Sequence, residues 1–129
     1  GYNNWKPRAK HMSWSYSQSS GRLSYQGRHI ATGYSGCKQG RNNPELQHRA
    51  FLGPIPQGRY RIAAPRDSAQ TGPFVLELSP VDHDALGRDD FQIHGDNISH
   101  DASTGCIILS EQARRRMAAS NDSLLIVVA

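Results

Sequence analysis

A histidine and a cysteine, each beside a glycine, are the residues of this chain best suited to chemistry. His94 is followed by Gly95, and Cys106 is preceded by Gly105. A thiolate attacks carbonyl carbons, but a free cysteine is only a few per cent ionised at neutral pH. A neighbouring imidazole can take the thiol proton and later deliver it to a leaving amine. The pair therefore predicts acyl transfer, with Cys106 as nucleophile and His94 as base.

The glycine before the cysteine has a separate role in this chemistry. Without a side chain, Gly105 lets the backbone turn sharply and aim the N–H groups around Cys106 at a developing oxyanion. Losing one such donor costs other enzymes roughly 3–4 kcal/mol of barrier. The base also needs an orienting partner on its second nitrogen. The sequence leaves four candidates open: Ser99, Asp101, Ser103 and a backbone carbonyl.

Other roles for these residues remain open at this point. Cys106 begins an apolar run and could be a small buried hydrophobe, or it could form a disulfide with Cys37. His83 and His100 lie near enough for a metal cluster, but the spacings match no common ligand pattern, so we expect no metal and no cofactor. His100 also competes with His94 as the base. We favour His94 because it ends an apolar strand beside glycine, whereas His100 sits in a polar loop.

Two predicted strands must position the pair, and the chain around them is mainly β. The strands are Phe91 to His94 and Cys106 to Leu109, and the polar loop from Asp96 to Thr104 is short enough to let them lie side by side. Further strands are predicted at Leu23 to Tyr25, His29 to Thr32, Arg59 to Ala63, Phe74 to Leu78 and Leu124 to Val128. We expect a hairpin turn at Gln26-Gly27-Arg28 and one short helix from about Glu111 to Ala119, capped by Ser110.

A long polar stretch rich in glycine, from Gly33 to Gln57, separates the hairpin from the later strands. A connection of this length in a small domain is more often functional than idle. We therefore expect this stretch to line the active-site cleft.

The bulk composition suits one folded domain: 129 residues, 36% hydrophobic and 20% charged. Residues 1–12 are interpreted as a vector-derived tail, and residues 13–129 as the catalytic domain. The net charge of +4 falls to +1 without the three basic residues of that tail, so nucleic acid is not an expected partner. The longest apolar run, Leu124 to Ala129, is too short to insert into a membrane. No signal peptide is recognisable, so we expect secretion by another route.

The motif His94-Gly95, a spacer, then Ser103-Thr104-Gly105-Cys106-Ile107 resembles the signature of YkuD-type L,D-transpeptidases. Upstream segments are similar to one branch of that family, the L,D-transpeptidase-like toxins of type VI secretion systems: Thr32 to Gly36, Asn42 to Pro44, Gly53 to Pro56 with Gly58 and Tyr60, and Ile93 to Asp96. The resemblance covers about Trp14 to Ile108. This chain departs from the larger family at two positions. Thr104 stands where the family commonly has histidine, and Ile108 stands where it often has arginine.

The resemblance implies a single YkuD-like β-sandwich or barrel domain with one short helix. It implies a catalytic set of Cys106, His94, Gly105 and Ser103, and substrate contacts by Gly95, Asp96, Thr104, Tyr34 and Arg88. Arg88 has two interpretations: a substitute for the missing carboxylate-binding arginine, or a solvated turn residue.

In that family the cysteine attacks the carbonyl of meso-diaminopimelate in a peptidoglycan tetrapeptide stem and releases the terminal D-alanine. Water as acceptor makes the enzyme an L,D-carboxypeptidase, and a D-amino acid gives exchange. The resemblance further implies an antibacterial effector that is carried by type VI secretion machinery, acts in the periplasm of a target cell and is bound by a cognate immunity protein. Two alternatives stay open: a cysteine endopeptidase or amidase on stem peptides, and a non-catalytic peptidoglycan-binding module.

Overall fold

The computed structural model describes residues 13–129, so the tail expected over residues 1–12 lies outside the described residues. The described chain is mainly β with a single α-helix, as predicted. The strands are β1 (Trp14–Ser17), β2 (Arg22–Tyr25), β3 (Arg28–Thr32), β4 (Tyr34–Ser35), β5 (Gly58–Ile62), β6 (Arg66–Ser68), β7 (Gly72–Val81), β8 (Phe91–His94), β9 (Ile107–Ile108) and β10 (Leu124–Val128). The helix is α1 (Glu111–Ala119), and 3-10 turns cover Lys38–Gly40, Pro44–Leu46 and Ala85–Gly87.

The strands form one sheet in the order β3-β2-β1-β10-β5-β7-β8-β9-β4, with β6 paired to β7. β3 and β4 stand at opposite ends of this order, yet only Gly33 separates them along the chain. The sheet must therefore curl until its two ends nearly meet, which makes it a nearly closed, barrel-like sheet. At Gly33 a β-carbon would lie 1.8 Å from the carbonyl oxygen of Ile108, so this close approach requires glycine.

The core lies on the concave side of the sheet and is closed by the helix. Alternate strand residues point inward, and the largest fully buried side chains include Trp14, Tyr16, Tyr60, Leu76, Ile93 and Ile107. α1 buries Ala113 and Met117 against this core. Its N-terminus is capped as predicted, because the Ser110 hydroxyl accepts a 3.2 Å hydrogen bond from the Ala113 amide.

All seven predicted strands and the helix are confirmed, although some boundaries move. The β2–β3 turn has positive φ at Gln26 (52°) and Gly27 (81°), the geometry of a tight hairpin turn. The strand predicted from Cys106 to Leu109 is limited to β9, so Cys106 lies one residue before it.

Three short strands, β1, β4 and β6, were not predicted. β1 and β4 are rich in serine, which has weak strand propensity. Their backbone groups are paired by distant partners, since β1 lies beside β10 and β4 beside β9. The stretch interpreted as one long connection thus contains a strand and two 3-10 turns.

Candidate active site

Parallel pairing of β8 and β9 places the predicted base at the end of one strand and the predicted nucleophile directly before its neighbour. Ile93 pairs with Ile107 and His94 with Ile108, so the two strands lie side by side as expected. His94 is the last residue of β8, and Cys106 directly precedes β9, two residues before the partner of His94.

The Cys106 thiol is a partly buried neutral group in the resting structure. Its Sγ lies 3.7 Å from the carbonyl oxygen of Asp90, to which it donates. Burial raises the pKa of Cys106 to about 11, opposed by the backbone N–H of Gln92 and the charge of Arg88. Among the described residues no hydrogen bond joins this thiol to the His94 imidazole. Direct proton transfer between them therefore requires a movement that brings the thiol within hydrogen-bonding distance of the imidazole.

The imidazole of His94 is held in the tautomer that a general base needs. The residue is 4% exposed, and its Nδ1 lies 2.9 Å from the carbonyl oxygen of Gly95. Because a carbonyl only accepts, Nδ1 carries the proton and Nε2 is the basic nitrogen. Burial lowers the pKa of His94, and the charge of Arg114 acts in the same direction. The orienting group among the four predicted candidates is thus a backbone carbonyl.

The competing histidine, His100, is engaged elsewhere. Its Nδ1 lies 2.9 Å from Asp96 Oδ2, and its side chain is 74% exposed. The Tyr34 hydroxyl donates a 2.6 Å hydrogen bond to the other oxygen of Asp96 and accepts one from the Ala102 amide. Tyr34 and Asp96 thereby shape the loop between β8 and β9.

Ser103 organises the turn before the nucleophile. It is fully buried, and its hydroxyl donates a 2.6 Å hydrogen bond to the Cys106 carbonyl. The same oxygen accepts from the amides of Gly36 (2.9 Å) and Gly105 (3.1 Å). The Gly105 N–H is thus already hydrogen-bonded, and the Cys106 N–H is the remaining candidate of the two as an oxyanion donor.

Gly105 meets two constraints that only glycine satisfies. Its φ is +145°, a conformation that side chains disfavour. A β-carbon there would also lie 2.5 Å from Nη2 of Arg88.

Ser35 is a site residue for which the sequence analysis assigned no role. Its buried hydroxyl donates a 3.2 Å hydrogen bond to the Gly105 carbonyl and accepts one of 2.9 Å from the Ile55 amide. In a trans peptide the C=O and N–H point in opposite directions. Anchoring the Gly105 carbonyl inward therefore directs the Cys106 N–H away from Ser35. A serine in a glycine-rich stretch carries no signal of this role.

Arg88 is neither solvated nor free. Its guanidinium donates to the carbonyl oxygens of Gln47 (2.5 Å), Pro54 (2.8 Å), Gly53 (3.1 Å) and Thr104 (3.4 Å). The interpretation of Arg88 as a solvated turn residue is therefore wrong, because these bonds tie the stretch before β5 to the nucleophile turn. Burial lowers its pKa, and the Cys106 thiolate would act in the opposite direction.

Seven of the nine predicted site residues divide between two clefts, and the buried His94 and Ser103 line neither of them. Cys106, Gly105, Thr104 and Arg88 line one of about 290 Å³, together with Asp90 and Phe91. Tyr34, Gly95 and Asp96 line a second of about 590 Å³. The stretch from Gly33 to Gln57 contributes to both, with Ala50 and Phe51 beside the nucleophile, which agrees with the prediction that it lines the cleft.

Both cysteines are free thiols, so the alternative of a disulfide between Cys37 and Cys106 is wrong. Within residues 13–129 no three His, Cys, Asp or Glu side chains converge in a way that could hold a metal ion. In the same part of the chain, no helix has the length and apolarity needed to span a membrane.

Comparison with known proteins assigns the family. Curated protein sequences give no match. The family model described as the Tlde1 domain matches residues 29–126, a range that includes His94, Cys106 and both clefts' main lining segments. The match covers more than half of the 129 residues. The chain therefore belongs to the Tlde1 domain family, a family of type VI secretion effector domains.

Proposed function

We propose that this chain is a cysteine-nucleophile enzyme that modifies peptidoglycan tetrapeptide stems, as an L,D-carboxypeptidase, an L,D-transpeptidase that exchanges D-amino acids, or both. The observation that carries the proposal is the β8–β9 pair. It brings the end of β8, with a neutral His94 oriented by the Gly95 carbonyl, beside β9, which Cys106 directly precedes. The position of Cys106 in an open cleft supports access by a peptide.

The first half-reaction forms a thioester. Nε2 of His94 takes the proton of Cys106, and the thiolate attacks the carbonyl carbon of the third stem residue. The negative charge that develops on the carbonyl oxygen is stabilised by the backbone N–H of Cys106. Collapse of this intermediate breaks the bond to the terminal D-alanine, whose nitrogen receives the proton from the His94 imidazolium.

The second half-reaction releases the enzyme. A water molecule or the amine of a D-amino acid attacks the thioester carbon and gives a proton to Nε2 of His94. The Cys106 sulfur leaves and is reprotonated by the imidazolium. Hydrolysis yields a tripeptide stem, and exchange yields a tetrapeptide with a new terminal residue.

The biological role follows from the family and this chemistry together. As a type VI effector, the enzyme would be delivered to the periplasm of a rival cell, where trimmed or exchanged tetrapeptides no longer serve as cross-link donors. A cognate immunity protein would protect the producing cell. Directing the chain to the periplasm of a test bacterium should arrest growth, and the same chain kept in the cytoplasm should not.

Mass spectrometry of purified muropeptides tests the reaction. The protein should remove one alanine from tetrapeptides, or replace it when a D-amino acid is added. Cys106→Ala and His94→Gln should abolish this change, and Cys37→Ser, the matched control at the other thiol, should retain it. Loss of a larger fragment would instead indicate an endopeptidase or amidase. Unchanged muropeptides with folded protein would indicate a binding module.

A further inference from the structure

The larger cleft is separate from the nucleophile cleft and has its own chemistry. It has a volume of about 590 Å³, within the range of small-molecule sites. It lies beyond the C-terminal ends of β8 and β9, where Gly95 and Ile108 line it, and Cys106 lines only the other cleft. The polar residues that matter here are Tyr34, Arg41, Asp96, Ser110, Glu111 and Arg114.

Arg114 presents an unused donor to this cleft. The residue is 5% exposed, and its Nε and Nη1 donate to the carbonyl oxygens of Leu109, Pro73 and Phe74. Its Nη2 has no hydrogen-bond partner among the described residues. Within residues 13–129 the Tyr16 hydroxyl is the only side-chain polar atom that is both fully buried and without a hydrogen-bond partner. Nη2 of Arg114 has no partner there either, so it is not fully buried. Nη2 must therefore be accessible from the cleft that Arg114 lines.

Access to Nη2 depends on a glycine. A β-carbon at Gly95 would lie 2.9 Å from Nη2 of Arg114. Any side chain there would crowd this donor, so Gly95 keeps it open.

The N-terminus of α1 points to the same place. Ser110 and Glu111 line the cleft, and the Ser110 side chain caps the Ala113 amide. The amides of Glu111 and Gln112 have no acceptor within the helix and carry the positive end of its dipole. A guanidinium nitrogen and a helix N-terminus together favour a carboxylate.

The other charged residues that line the cleft indicate which kind of carboxylate ligand fits it. The lining carries two arginines, Arg41 and Arg114, and two acids, Asp96 and Glu111, so its formal charge is zero. Glu111 also pairs with Arg115, and Asp96 with His100. Arg41 lies 3.7 Å from the centre of the Tyr34 ring and donates to the His100 carbonyl, while Asp96 accepts from Tyr34. A phosphate dianion would be repelled by the two acids. A zwitterion places its carboxylate on Arg114 and its ammonium beside Asp96.

We propose that this cleft is a binding site for an amino-acid zwitterion, with Nη2 of Arg114 and the N-terminus of α1 as the carboxylate donors. The site itself does not depend on the reaction at Cys106. Its identification with D-alanine, released or accepted during turnover, rests on the proposed function.

NMR titration of the ¹⁵N-labelled Cys106→Ala protein tests the site without turnover. D-alanine should produce saturable shifts of the amides of Gly95, Glu111 and Gln112. D-alaninamide, which lacks the carboxylate, and acetate, which lacks the ammonium, should each bind at least tenfold more weakly, and inorganic phosphate should not compete. Absence of saturable shifts, equal binding of D-alaninamide, or shifts confined to the nucleophile cleft would overturn the proposal.

Two variants of the Cys106→Ala protein separate binding from folding. Gly95→Ala places a methyl group against Nη2 while Arg114 and its three carbonyl bonds stay, so D-alanine affinity should fall at least tenfold. Arg116→Gln, at an exposed position of the same helix that does not line this cleft, is the matched control and should bind as the parent does. A folded Gly95→Ala protein with unchanged affinity would contradict the assignment. Muropeptides left intact by a protein that still binds D-alanine would refute the proposed function but not this site.

Discussion

The hydroxyl of Ser35 donates a 3.2 Å hydrogen bond to the carbonyl oxygen of Gly105, 70 residues away in the chain. This bond orients the peptide plane whose N–H belongs to Cys106, the donor that the proposed reaction assigns to the oxyanion. Ser35 thus connects β4, at the edge of the sheet, to the transition state of the proposed reaction. It is a positioning residue, since it would act through the Gly105–Cys106 peptide and not on the substrate.

Ser35→Ala should weaken acylation of Cys106 more than it weakens alkylation. Acylation by p-nitrophenyl acetate passes through an oxyanion and should slow about 10- to 100-fold, because a misoriented donor loses part of its stabilisation. Alkylation by iodoacetamide has no oxyanion and should stay within about twofold. Stopped-flow absorbance and mass spectrometry on a Cys37→Ser background measure the two rates, with Cys106→Ala as the blank. Equal slowing of both reactions would show that Ser35 only supports the fold.

Gly105→Ala should destabilise the protein by about 2–4 kcal/mol in the free energy of unfolding. Alanine would have to adopt the φ of +145° that Gly105 has. Its β-carbon would also lie 2.5 Å from Nη2 of Arg88. Gly27→Ala is the matched control, because Gly27 also has positive φ (81°) but nothing within 4 Å of a built β-carbon. Gly27→Ala should lower the free energy of unfolding by about 1 kcal/mol. Urea unfolding followed by fluorescence compares them, and equal losses would contradict a clash with Arg88.

Alkylation of Cys106 in the free protein should accelerate about tenfold per pH unit between pH 7 and 10, because only the thiolate reacts and its pKa is about 11. The rate of iodoacetamide labelling, measured by mass spectrometry with Cys37 replaced by serine, checks this. A plateau below pH 8 would mean that Cys106 and His94 form an ion pair before substrate binds.

The stability of the protein should fall in acid partly through His94. Its pKa is lowered by burial from the ordinary value of 6.5, so below about pH 6.5 the unfolded chain binds more protons than the folded one. The stability that His94 contributes is therefore at its full value above about pH 6.5, and it decreases as the pH falls toward the lowered pKa of the folded state. Thermal unfolding between pH 4 and 8 should show a shallower acid loss in His94→Gln than in the parent. Parallel curves would contradict a buried neutral imidazole.

Arg88→Met should loosen the stretch that borders the nucleophile. The variant keeps an apolar stem near Phe91 but leaves four carbonyl oxygens without their donor, so a loss of about 2–4 kcal/mol is expected. Arg59→Met removes a single exposed ion pair with Asp82 and should cost less than about 1 kcal/mol. Limited proteolysis should cut Arg88→Met within residues 47–54 faster than either other protein. Protection equal to the parent would contradict this role.

The local signals in the sequence were sufficient for the larger elements. Apolar alternation in β7 and β8, the β-branched run of β10 and the Ser110 cap of α1 are properties of neighbouring residues, so they could be recognised without the fold. The same holds for Gly105 and Cys106, whose adjacency already indicated a turn at a nucleophile.

Only the tertiary structure decided what surrounds that turn. β4 is two residues long and forms because β9 supplies its hydrogen bonds. The roles of Ser35, Arg88 and Arg114 depend on carbonyl groups between 5 and 70 residues away. A hydrogen bond to a backbone carbonyl does not depend on the side chain of the accepting residue, so no pattern of residue types predicts it. The predicted nucleophile and base, and the strands beside them, could thus be inferred from the sequence. The groups that contact them follow from the curl of the sheet, which brings distant backbone carbonyls together.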